Sequence, residues 1–418
     1  MAGERTGGVI GPLLAAVALA EIAAQVLRPR SGVLDAAPAE VGVHFDAAEV
    51  ARARRYGRGQ LALGLAGAGA EGALLVWLVR RDRRRADPPA GGLATVGARG
   101  ATLSVVLAAA PLPFAAMMRR RALDAGLATQ SWAGWANDVV RSGAIASGFS
   151  AAGAVIVAAT MRRFGGRWWA PAAAGSVGVA AIVTLAGPVL LEPIFNDFTP
   201  LPDGELRRDV LALAQQAGVR VGEVFAVDAS RRTTAANAYV NGLGATRRIV
   251  LYDTLLESFS PEEARTVVAH ELAHVRYRDV PRLLVFVALV APAGTRAVAR
   301  LAERFEGRST PGLPALALAG GVVSSAIGVI ARQLSRAIER RADAFSLSLT
   351  DAPDAFVSFE RRITRQNLAD PDPPRWLTRL IGTHPSIVER IGIADAYAAG
   401  ARPTRRDLPS CPRTRAGS

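Results

Sequence analysis

Apolar residues run along this chain in long blocks flanked by arginines. Blocks of roughly the 20 residues that a helix needs to cross a bilayer fall at Gly8 to Leu27, Leu61 to Val79, Ala94 to Met118, Ser142 to Met161 and Pro171 to Ile194, which predicts five spans in the first half. Two more follow, Leu283 to about Ala299, interrupted by Pro292, Gly294 and Arg296, and Leu313 to about Leu334. The pattern predicts a mainly α, polytopic helical membrane protein of about seven spans. The first block, with Arg5 ahead of it and Ala18-Leu19-Ala20 inside it, has the make-up of a signal peptide cut before Glu21 as well; apolar character resumes at Ile22 to Leu27, so a retained anchor is expected.

Asn196 to Arg282 and Ala337 to Ser418 are not membrane-like. Thr199-Pro200-Leu201-Pro202-Asp203-Gly204 reads as a turn-rich boundary, and Glu205 to Ala217 has helical spacing. Val221 to Val227, Ala236 to Val240 and Arg248 to Tyr252 read as short strands, the last two joined as a hairpin across Asn241-Gly242-Leu243-Gly244. The expected organisation is a membrane region with five spans over 1–195, a first polar segment over 196–282, two further spans over 283–334, a second polar segment over 335–400, and a Pro- and Arg-rich tail over 401–418, expected to be disordered.

Half of the 418 residues are hydrophobic and 21% are charged, with mean hydropathy +0.22. That balance does not suit an ordinary soluble globule and rules out a disordered or fibrous chain. All 50 basic residues are arginine, for a formal net charge of +14. This Arg-only, Ala-rich style looks like a GC-rich bacterial genome. The arginines cluster beside apolar blocks, at Arg80 to Arg85, Arg119 to Arg121, Arg162 and Arg163, as membrane flanks do, so membrane lipid is an expected partner and nucleic acid is not. Their numbers are nearly balanced between alternate loops and set no orientation. The single Cys411 allows no internal disulfide and no Cys-based zinc cluster, which leaves His, Asp and Glu for any metal.

Ser260-Pro261-Glu262-Glu263 supplies an N-cap, a proline at the first helical position and a Glu three residues after the cap, so a helix starts at Pro261. It runs into His270-Glu271-Leu272-Ala273-His274. A spacing of four puts both imidazoles on one helix face, able to share a metal, with Glu271 beside them to polarise a metal-bound water. The chain has only four histidines, so a chance match is rare. A catalytic zinc takes three protein ligands and keeps one open position. Glu339 is the candidate third ligand; Asp343, one turn on, would accept the free ring N–H of a ligand histidine. An acidic residue among arginines is also what an exposed i,i+4 ion pair looks like. Between His274 and Glu339 the two late spans return the chain to the same membrane face.

HELAH, then Glu339 to Asp343, then Thr383-His384-Pro385-Ser386 and Arg390 resembles the M48 metalloproteases. Asn196 to Leu206, and Asn237-Ala238-Tyr239 ahead of Ile249 to Leu256, are similar to that family's Ste24 branch, the CAAX prenyl proteases, and Phe45 to Leu61 resembles the branch's N-terminal region. The resemblance implies a zinc endopeptidase with one zinc per chain, in which seven helices enclose a chamber and a small α+β, gluzincin-like metalloprotease domain, built from the two polar segments, caps the cytosolic side. It implies His270, His274 and Glu339 as ligands, Glu271 as general base, Asp343 behind a ligand, His384 and Arg390 in the family's HPxxxR segment with His384 helping to stabilise the tetrahedral intermediate, and Asn237, Ala238 and Tyr239 on the substrate-binding strand. The implied substrate is a peptide or protein, lipid-modified or membrane-associated, and the implied place is a bacterial plasma membrane with the catalytic segments cytoplasmic. After HELAH the chain reads Val275-Arg276-Tyr277-Arg278-Asp279, nearer the pattern of the HtpX-like quality-control proteases, which makes such a protease the alternative. A zinc-regulated transporter or channel would also need several spans, but transport sites lie near the midplane and the HExxH falls outside the blocks.

Overall fold

The computed structural model describes residues 3–84, 91–242 and 247–403. Cys411 and the tail from 404 lie outside the described residues, as does part of the expected hairpin turn. The elements in chain order begin with α1 (Gly3–Leu27), α2 (Val41–His44), α3 (Ala47–Arg83), α4 (Leu93–Ala109), α5 (Leu112–Asp124), α6 (Trp132–Phe164) and α7 (Trp169–Leu190). A mixed stretch follows: β1 (Phe198–Pro200), α8 (Glu205–Gln216), β2 (Glu223–Val227), β3 (Ala238–Asn241), β4 (Arg248–Tyr252), α9 (Asp253–Ser258) and α10 (Pro261–Arg276). The chain then runs through α11 (Asp279–Glu306), α12 (Leu313–Thr350), α13 (Pro353–Gln366), α14 (Arg375–Ile381) and α15 (Ile387–Ala398). Two compact units result, one from Met1–Val26, Arg58–Val183 and Leu284–Ala331, the other from Leu27–Gly57, Thr184–Leu283 and Arg332–Ser418.

The first unit is helical. Among the described residues six helices, α1 over Ile10–Leu27, α3, α6, α7, α11 and α12, are long and apolar enough to cross a membrane; α12 runs on past Ala331 into the second unit. The third expected span, Ala94 to Met118, is not one straight helix: α4 and α5 meet at 46°. Pro111 caps α5 and Pro113 follows inside its first turn. Proline has no N–H to donate and its ring crowds the preceding turn, so the helix breaks there. Counting the bent pair as one span gives seven. Large apolar side chains such as Leu14, Leu65, Val105, Val140, Ile156 and Ile182 are exposed, a surface suited to lipid rather than water. Small residues set the α4–α6 approach. A Cβ added at Gly100 would lie 2.7 Å from Ala154 Cβ and from the Ser150 carbonyl oxygen, and Ser150 Oγ donates to Gly100 O at 2.8 Å.

The second unit holds a four-stranded sheet of order β1-β2-β4-β3. β1 is antiparallel to β2, β2 parallel to β4, and β3 antiparallel to β4. β1 falls where a turn-rich boundary was expected; Pro200 is tolerated because β1 is an edge strand. β3 forms the other edge among the described residues, and its pairing extends to Asn237, whose carbonyl accepts from Tyr252 N–H at 3.0 Å. Val224, Ile249 and Leu251 from the sheet, Leu213 from α8, Val268 and Leu272 from α10, Ala342 and Phe345 from α12 and Phe359 from α13 share one core. This core seats α10. Ser260 Oγ accepts from Glu263 N–H while the Glu263 carboxylate accepts from Ser260 N–H, a closed capping box with Pro261 in the first turn.

Candidate active site

Three imidazoles converge on one carboxylate oxygen. Glu339 Oε2 lies 3.0 Å from His270 Nε2, 3.8 Å from His274 Nε2 and 3.2 Å from His384 Nε2. The two α10 imidazoles bring their Nε2 atoms to 3.3 Å, about the 3.3 Å that two ligands of one tetrahedral zinc must keep. Their outer nitrogens are held: His270 Nδ1 faces Asp343 Oδ1 at 2.9 Å, and His274 Nδ1 faces Asp279 Oδ2 at 3.1 Å. Both Nε2 atoms therefore turn inward as acceptors once each Nδ1 carries the proton. Glu271 brings a carboxylate oxygen within 4.8 Å of one ring nitrogen of each of these two histidines. The Glu339 oxygen meets that looser spacing too, at 3.0 and 3.8 Å. His270, His274 and Glu339 could hold a metal ion, with Glu271 beside it.

Each supporting carboxylate is itself held. Asp343 is fully buried and accepts from Arg390 Nε at 3.0 Å and Nη2 at 2.6 Å. Asp279 accepts from Arg282 Nη1 at 2.6 Å and also from Arg341. Arg278, at φ 54°, turns the chain sharply between α10 and α11 and so returns Asp279, the first residue of α11, to the His274 ring. Burial disfavours charge on His270, but the hydrogen bonds and negative charges of Asp343 and Glu339 outweigh it and raise its pKa to about 10. Burial works against a charged His274 too, and the Asp279 hydrogen bond turns the balance upward. Burial raises the Glu271 carboxyl above the ordinary range. A field that favours positive charge at the imidazoles favours a bound cation equally.

The expected substrate strand divides. Asn237 lines a cavity of about 490 Å3 together with His270, Glu271 and His384. Ala238 is buried in the core, and the Tyr239 hydroxyl donates to Glu192 Oε2 at 2.9 Å. His384 is more than half exposed, with Thr383 Oγ1 2.9 Å from its Nδ1. Asp279, Arg341 and Glu360 had drawn no role from the sequence. Glu360 is 1% exposed, lines the same cavity, and lies 2.6 Å from Arg390 Nη1.

The model of peptidase family M48 matches residues 200–398, which contain these histidines and the carboxylates around them but not Glu192. The chain is 32% identical over 304 residues to the uncharacterized metalloprotease YhfN of Bacillus subtilis (strain 168), covering 70% of this chain and 71% of that protein. It is 32% identical over 214 residues to a CAAX prenyl protease 1 homolog of Oryza sativa subsp. japonica, covering 49% of this chain and 50% of that one. The crystal structure of S. mikatae Ste24p has the same fold, with a TM-score of 0.74 at 20% identity over 94% of this chain and 98% of that one. With YhfN matched over most of its length and the family's own span enclosing the histidine–carboxylate cluster, the chain belongs to peptidase family M48 and is an integral-membrane metallopeptidase.

Proposed function

We propose that the chain is a zinc-dependent endopeptidase in which His270, His274 and Glu339 hold the metal. The convergence of these three side chains on one point carries the reading. Zinc bound there would polarise the scissile carbonyl and acidify a water. Glu271 takes the proton of the attacking water and delivers it to the leaving amine nitrogen. Asp343 and Asp279 keep the two ligand imidazoles in the Nδ1–H tautomer, and Arg390 and Arg341 keep those carboxylates in place. His384, exposed at the rim and within reach of Glu339, donates to the oxyanion of the tetrahedral intermediate. The open edge of β3 pairs with an extended peptide, and Asn237 anchors that peptide beside the scissile bond.

Substrates on this reading are membrane-associated or lipid-modified peptides, supported by the likeness to the CAAX prenyl protease homologues. The protein sits in a bacterial plasma membrane with its catalytic segments in the cytoplasm. Metal content of the purified protein together with peptide hydrolysis, before and after chelation and after zinc is restored, is the test. Hydrolysis that survives complete metal removal would overturn the reading.

A further inference from the structure

Helix α13 places Phe356, Phe359, Glu360 and Ile363 at helical spacing, with Asn367 one turn beyond, and all five line the cavity of about 490 Å3 that reaches His270 and Glu271. The stripe is apolar except at Glu360 and Asn367. Glu360 is buried, its Oε1 makes a close ion contact with Arg390 without hydrogen-bond alignment, and Oε2 has no partner. The Oδ1 of Asn367 is also buried and without a partner. Arg390 already spends Nε and Nη2 on Asp343, so one guanidinium faces two carboxylates.

Arg390 is shared between Asp343 and Glu360, so Glu360 has no counter-ion of its own, and burial pushes its carboxyl pKa up against the pull of Arg390. A buried, under-paired carboxylate is costly, and the partnerless atoms along this stripe are all acceptors. Their complement is a donor-rich cation. Phe356, Phe359 and Ile363 supply the apolar wall along which a methylene stem lies while its charged head reaches Glu360.

We propose that this cavity is a side-chain subsite for lysine or arginine flanking the scissile bond, with Glu360 as its specificity-determining residue and Asn367 as a second acceptor. It rests on the peptidase reading above and deepens it, since it concerns which residue is accepted beside the cleaved bond.

The zinc-loaded full-length protein in detergent is offered N-acetylated peptide pairs that differ only by lysine against norleucine at each position flanking the cleaved bond. At one position kcat/KM is expected to favour lysine by about tenfold or more, and Glu360→Gln is expected to bring that ratio to about one. A wild-type ratio near one at every position overturns the subsite. So does a Glu360→Gln protein that slows on both peptides equally, because a plain counter-ion to Arg390 would act that way. Fluorescence anisotropy of the same peptides on Glu271→Gln protein separates the two readings: a lysine preference in binding without any hydrolysis by wild type sinks the peptidase and keeps the subsite. Should Glu360→Gln not fold, Asn367→Asp adds a carboxylate to the same wall and is expected to raise the lysine preference about threefold; an unchanged ratio overturns the proposal.

Discussion

Arg390 holds both carboxylate oxygens of Asp343, Nε on Oδ2 at 3.0 Å and Nη2 on Oδ1 at 2.6 Å. The same Oδ1 faces His270 Nδ1 at 2.9 Å, so the guanidinium orients an imidazole it never touches. Lysine offers a single point charge and cannot reproduce two prongs. Arg390→Lys is expected to lower metal affinity by about 10–100-fold, measured by competition with a chelating dye. Arg390→Ala also strands a buried charge and is expected to cost about 3–5 kcal/mol of stability. An alanine variant with wild-type metal affinity would remove Arg390 from support of the site.

Glu271 has a different expectation because the proposed mechanism gives it the proton and leaves the metal to His270, His274 and Glu339. Glu271→Gln is expected to keep its metal and lose about 10²–10⁴-fold in kcat, while His274→Ala or Glu339→Ala loses the metal itself. Elemental analysis beside peptide turnover distinguishes the two patterns. Near-wild-type turnover in Glu271→Gln would move the base role to another residue.

The parts of the molecule legible in the sequence are those written in local spacing. The capping box at Ser260 and Glu263, and the i,i+4 pair His270 and His274, need only one helix to be read. The apolar blocks were legible for the same reason, and the missed bend at Pro111 lies within one of them: Pro113 follows inside α5, and paired prolines were the available warning. Asp279 was harder to assign. It reaches His274 only because Arg278 takes a left-handed conformation after α10 ends, and no helix periodicity pairs residues five apart across such a turn. Glu360 left a signal, a carboxylate on the same stripe as Phe356, Phe359 and Ile363, but its meaning depends on Arg390, 30 residues later. The place of Tyr239 on a strand did not tell that its hydroxyl goes to Glu192.

Close packing in the first unit gives a prediction independent of the chemistry. A Cβ at Gly100 meets Ala154 Cβ and the Ser150 backbone at 2.7 Å, whereas one at Gly64 on α3 meets nothing within 4 Å. Gly100→Ala is expected to destabilise by about 1–3 kcal/mol and Gly64→Ala to stabilise by up to about 1 kcal/mol. Thermal unfolding in detergent reads both. Equal melting of the two variants would mean that α4 and α6 do not approach as closely as Gly100 implies.

Membrane topology supplies the last prediction. His270 and His274 precede α11 and Glu339 follows the apolar part of α12, so two crossings separate ligands that the proposed site requires on one ion, within about 2 Å of it. An even number of crossings restores the face, and an odd number would part the ligands by the thickness of the bilayer. With Cys411 replaced by serine, single cysteines at Gln216, the last residue of α8, and at Arg379 on α14 occupy exposed positions in the two chain segments. An impermeant maleimide is expected to label both in inside-out vesicles and neither in intact cells. Labelling of both from the outside only would reverse the orientation and leave the shared site intact. Opposite accessibility would mean that one of α11 and α12 does not cross, and His270 and Glu339 could not then serve one metal in the inserted protein.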